Sequence, residues 1–154
     1  MAQYLIKVNA IDCPNGNGRP TNVADWDDGW FAVSHRTRRY EGEPPRERDF
    51  AIIWVNENSR DRQNGDGLIA SASIKAVQTT TQMHAIQIFA PTIFPEPIVT
   101  RDVIEQHVQS YGRAGTEHIL VRINNDRHRT LYHLSDNDFD ELMRPRISRR
   151  NDTC

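Results

Sequence analysis

Residues 48–77 read RDFAIIWVNENSRDRQNGDGLIASASIKAV, and this stretch decides the fold. An apolar run from Phe50 to Val55 follows a charged opening, Arg48 and Asp49. A polar loop spans 56–66, and a second run of small residues spans 67–77. The pattern predicts two adjacent strands joined by a wide loop. In the first, Phe50, Ile52 and Trp54 face one side, and Ala51, Ile53 and Val55 the other. Both faces are apolar, which places that strand centrally in a sheet or barrel. In the second, Ala70, Ala72 and Ala76 alternate with Ser71, Ser73 and Lys75. Such small side chains leave room for a large aromatic residue, a helix or a ligand.

Strands are also expected at Tyr4 to Val8, as a possible edge, and at Trp30 to Ser34, Met83 to Phe89, His118 to Ile123 and Thr130 to His133. Two Asn-Gly pairs and two prolines mark 12–28 as a loop. Thr100 opens a helix with Val103, Ile104, His107 and Val108 on its buried stripe, and Gly112 stops it. Ser135 and Asp138 have capping-box spacing for a last helix, docked by Phe139, Leu142 and Met143. The expected class is α+β, mostly β: an open or closed barrel flanked by helices. A chain of 154 residues fits a single domain spanning 1–154, with 144–154 a loose basic tail.

The net charge is −2, giving no overall pull toward nucleic acid or membrane. Of 19 basic residues only Lys7 and Lys75 are lysine, so 17 are arginine. A GC-rich genome produces that bias, and so does phosphate or base recognition. Cys13 and Cys154 make neither a metal motif nor a disulfide framework, which fits a cytoplasmic setting. No apolar run reaches membrane-span length, and the N-terminus lacks a signal-peptide pattern. The six histidines have no tight metal spacing, and no nucleophile elbow or nuclease motif is present. No cofactor, metal or catalytic set is therefore expected.

Three segments in order resemble the PUA-like superfamily, and within it EVE-type domains. They are Trp30-Phe31-Ala32-Val33-Ser34, the pair of runs from Asp49 to Ala72, and Arg127-His128-Arg129-Thr130-Leu131-Tyr132-His133-Leu134-Ser135. The resemblance covers 25–143 and leaves 1–24 outside. Arg48 stands where EVE-type chains usually have glycine. The resemblance implies a PUA-like barrel that holds a nucleic-acid base, modified or not, in an aromatic pocket.

On that reading Trp30 and Trp54 stack the base and Trp26 is a lid. Ser34, His35 and Asn56, with Asn58 beside it, read the base edge if the two strand ends meet. Arg36, Arg38, Arg39, Arg127 and Arg129 grip flanking phosphates of DNA or RNA. Each of these residues also has an ordinary reading, as core, turn or solvated surface. A second functional reading is a small metal-independent nuclease or nucleotide hydrolase, with histidines as acid and base. It requires a cleft that holds two histidines and an arginine. A third is an interaction module without a small ligand. Oligomeric state is not fixed by any of these patterns.

Overall fold

The computed structural model describes residues 1–18, 20–34, 44–56, 67–80, 82–112, 118–125 and 129–144. They form a mixed α+β fold with one six-stranded sheet and three helices. The strands are β1 (Gln3–Asn9), β2 (Trp30–Ser34), β3 (Phe50–Asn56), β4 (Gly67–Thr79), β5 (Met83–Ile93) and β6 (Leu131–Leu134). The helices are α1 (Arg101–Tyr111), α2 (Ile119–Asn125) and α3 (Asp136–Met143).

Sheet order is β2-β5-β4-β3-β1-β6. Every neighbouring pair is antiparallel except β1 with β3. The sheet is open, with β2 and β6 at its edges. It curls far enough for β1 and β2 to approach across the concave side. Both hydrogen-bonding edges of β1 are already taken, by β3 and β6, so β2 does not ladder onto it.

Alternation along the strands builds two cores. The concave core gathers Tyr4, Ile6 and Val8 with Phe31, Val33, Ala51, Ile53, Ala70, Ala72, Ile86 and Ile88. The large residues admitted alongside the small β4 side chains include Phe31 and Trp26. The convex core gathers Leu5, Ile52, Trp54, Leu68, Tyr132 and Leu134 under Ile104, Ile119, Leu120, Ile123 and Leu142 of the helices. Among the described residues, the helices thus cover the outer face of β3, β1 and β6 and not that of β2 and β5.

The caps form as the sequence predicts. Thr100 accepts a side-chain bond from the Val103 N–H. The Gly112 N–H closes α1 on Val108 at a φ of 73°, where glycine is unstrained. Ser135 and Asp138 complete a reciprocal capping box.

Two elements differ from expectation. β1 is interior rather than an edge: Tyr4 to Val8, Lys7 included, are buried between two strands. Residues 119–125 form helix α2 rather than a strand. A short apolar run does not distinguish the two by periodicity, and packing decides: Ile119, Leu120, Val121 and Ile123 are all buried. His118 supplies the cap, its Nδ1 accepting the Leu120 N–H at 3.2 Å.

Candidate functional site

The half of the outer face that no described helix covers carries two exposed aromatics, Trp30 and Phe89. On β2 the inward residues Phe31 and Val33 are 1% exposed, so Trp30 and Ala32 point outward. On β5 Ile86 and Ile88 are inward, so Met83, Ala85, Gln87 and Phe89 point outward. Trp30 is 39% exposed, Met83 40% and Phe89 40%. Trp30 pairs directly with Gln87. Phe89, two residues further along, is its diagonal neighbour at about 7–8 Å between Cα atoms. Trp30, Gln87 and Phe89 thus lie on the same outward face of the β2–β5 ladder, a stretch termed the shelf.

Gly29 sets the approach to this shelf. A Cβ there would lie 2.4 Å from Pro14 Cγ and 2.8 Å from the Trp26 carbonyl. Gln87 Nε2 donates to the Asp28 carbonyl at 3.0 Å. The Asp28 carboxylate accepts Lys75 Nζ at 2.8 Å, and this bond and the charge behind it raise the lysine pKa. The Ala90 N–H donates to Asp27 at 3.0 Å.

Beside Phe89 lies a cavity of about 530 Å³, whose walls include Asp27, Asp28, Glu47, Arg48, Lys75 and Ala90. Asp28, Arg48 and Ala90 have φ values of 60°, 75° and 51°. Left-handed backbone at a non-glycine residue costs on the order of 1–3 kcal/mol and collects at binding sites. Three carboxylates outnumber two cations here, so the cavity does not attract a phosphate. Its neighbour Phe89 offers a π-face instead.

The predicted pocket residues do not assemble as expected. Trp54 is fully buried under the helices, with Arg101 Cζ 5.7 Å from its ring, so no base stacks on it. Trp30 and Trp54 share the outer face but stand level with Ala76 and Leu68 of β4. Those positions are about 25 Å apart along the strand. Trp26 is no lid: it is fully buried, donates Nε1 to the Asn17 carbonyl at 2.8 Å, and meets Phe31 edge-on at 4.9 Å.

The strand ends carrying Ser34 and Asn56 do not meet. Ser34 pairs with Met83, next to Thr79, whereas Asn56 lies beyond the pairing of Val55 with Gly67. The whole of β4 separates them. Asn56 Nδ2 donates to Asn9 Oδ1 at 3.4 Å instead. The Ser34 side chain, His35, Arg36, Arg38, Arg39, Asn58 and Arg127 lie outside the described residues. Arg129 packs over Tyr132, its Cζ 5.6 Å from the ring, beside the sheet edge opposite Trp30. Phe89 and Gln87 were legible only as strand residues, because their exposure depends on where the helices dock. No group of three or more His, Cys, Asp or Glu among the described residues is arranged to hold a metal.

Compared with known proteins, the chain matches no family model, and no curated protein or solved structure matches it significantly. Among the described residues, no helix is long and apolar enough to cross a membrane.

Proposed function

We propose that this chain is a nucleic-acid base-binding domain, and that an unpaired base stacks on the shelf of Trp30 and Phe89. One observation supports the reading: two large aromatics, each about two-fifths exposed, lie diagonally on the same outward face of the β2–β5 ladder, which no described helix covers. Aromatic stacking is worth about 1–3 kcal/mol per base, more than an isolated surface ring needs for use as a platform. Single-stranded or splayed bases are the natural ligands of such a face. Gln87 lies on the same face and offers a base edge its amide oxygen, its Nε2 being held by the Asp28 carbonyl. The cavity beside Phe89 leaves space for a base substituent, which supports a modified base of DNA or RNA as the ligand.

The finer fold reading belongs to the same proposal. The curl that brings β1 toward β2 supports a PUA-like, EVE-type domain with a partly formed barrel. A cytoplasmic setting fits a chain whose Cys13 is a buried free thiol.

The test is fluorescence anisotropy of labelled single-stranded DNA and RNA, unmodified and carrying modified cytosine or adenine. Trp30→Ala and Phe89→Ala should each weaken the best ligand about tenfold or more. Wild-type affinity in both variants overturns the proposal.

A further inference from the structure

A second cavity, of about 560 Å³, lies among the three helices. That volume falls within the about 300–1,000 Å³ typical of small-molecule sites. α1 lines it with His107, Ser110 and Tyr111, the start of α2 with His118, and the end of α3 with Glu141 and Arg144. Three rings cluster there. His107 stacks on His118 at 4.2 Å and 26°, and its ring meets Tyr111, tilted by 40°, at 4.9 Å. Tyr111 is 74% exposed.

The His118 ring is held at both nitrogens. Nδ1 accepts the Leu120 N–H, so the ring proton sits on Nε2, 3.3 Å from Glu141 Oε2. Glu141 Oε1 lies 3.5 Å from Arg144 Nη1. His118 is therefore a fixed wall, and the more exposed groups of the lining are the Tyr111 ring and the Arg144 side chain, at 74% and 66%. Two-histidine hydrolysis of a phosphate ester needs an acid and a base on opposite sides of the phosphorus. Stacked imidazoles lie on one side, and His118 has no nitrogen to spare.

We propose that this cleft is a separate binding site for a nucleoside monophosphate. Its base stacks on the exposed Tyr111 ring, and Arg144, on the wall of the same cavity, takes the phosphate by charge-assisted hydrogen bonds. Ser110, one residue from Tyr111 on the same wall, offers a hydroxyl to the sugar. The site is independent of the Trp30 shelf.

The test is calorimetry and amide chemical-shift mapping of the full chain with AMP, adenosine and inorganic phosphate. AMP should bind more tightly than either fragment and should shift Tyr111, Ser110 and Glu141. Tyr111→Ala and Arg144→Gln should each weaken AMP at least tenfold while leaving oligonucleotide affinity unchanged. Both side chains are largely exposed, so these variants fold. Trp30→Ala should leave AMP affinity unchanged, which separates this site from the shelf. Unaltered AMP binding in both cleft variants, or AMP shifts confined to other residues, overturns the proposal.

Discussion

Trp30 on β2 and Phe89 on β5 lie diagonally across one ladder, both pointing away from the concave core and both outside the area the helices cover. Their exposure is a consequence of coverage. α1, α2 and α3 pack on the other half of the same sheet face, where Ile52, Trp54 and Leu68 are fully buried.

The charge around the shelf sets its salt response. Asp27, Asp28 and Glu47 oppose Lys75 and Arg48 beside Phe89, so the described residues make few phosphate contacts there. Oligonucleotide affinity should fall less than about tenfold between 50 and 200 mM salt, against about 10³–10⁵ for a protein gripping six to ten phosphates. Anisotropy at both salt concentrations checks this.

The buried tryptophans should respond differently to loss of the indole N–H. Trp26 donates to Asn17, whereas Trp54 Nε1 is buried with no hydrogen-bond partner among the described residues. Leaving a buried group unpaired costs about 1–3 kcal/mol, so Trp54→Phe removes a penalty as well as volume. Urea denaturation should show Trp54→Phe within about 1 kcal/mol of wild type. Trp26→Phe should be the more destabilising, by about 1–3 kcal/mol, because it removes the Nε1–Asn17 hydrogen bond as well as volume.

Asp138 joins two elements through one oxygen. Its Oδ2 accepts the Ser135 N–H at 3.1 Å and Arg122 Nη1 at 3.0 Å, and the residue is 8% exposed. Asp138→Ala loses the carboxylate half of the capping box, keeps the Ser135 cap on the backbone, and leaves a half-buried guanidinium without this partner. The expected cost is about 2–4 kcal/mol by chemical denaturation, with Asp138→Asn intermediate.

Cys13 makes stability fall at high pH. Burial, and then the charge of Asp12, push its thiol from the usual value near 9 up to about 12. The unfolded chain loses this proton first, so between about pH 9 and 12 the folded state binds more protons and stability drops with rising pH. One such group gives a slope of about 1.4 kcal/mol per pH unit. Cys13→Ala should flatten the slope. In a Cys154→Ser background the native Cys13 thiol should resist alkylation at pH 8 and react once unfolded.

Much of this fold is readable in local pattern. Phe50 to Val55 and the Ala-Ser run of β4 announce a central antiparallel pair, and Thr100, Gly112, Ser135 and Asp138 punctuate the helices. These signals lie within a few residues of what they specify. The insertion of β1 between β3 and β6 does not, because parallel pairing across more than 40 residues leaves no local mark. The three tryptophans look alike in sequence, yet Trp26 anchors a loop, Trp54 sits beneath helices and Trp30 faces solvent. Their environments are set by helix docking. For the same reason the ring cluster of Tyr111 and His107 on α1 with His118 at the start of α2 shows no short motif.

Iodide quenching of tryptophan fluorescence, with and without saturating single-stranded oligonucleotide, tests the central claim most directly. Trp26 and Trp54 are 0% exposed, so the quenchable emission belongs to Trp30. Stacking on the shelf predicts that bound oligonucleotide shields Trp30 and suppresses iodide quenching, with no such protection in Phe89→Ala at the same concentration. Unchanged quenching of Trp30 in the saturated complex would contradict the account.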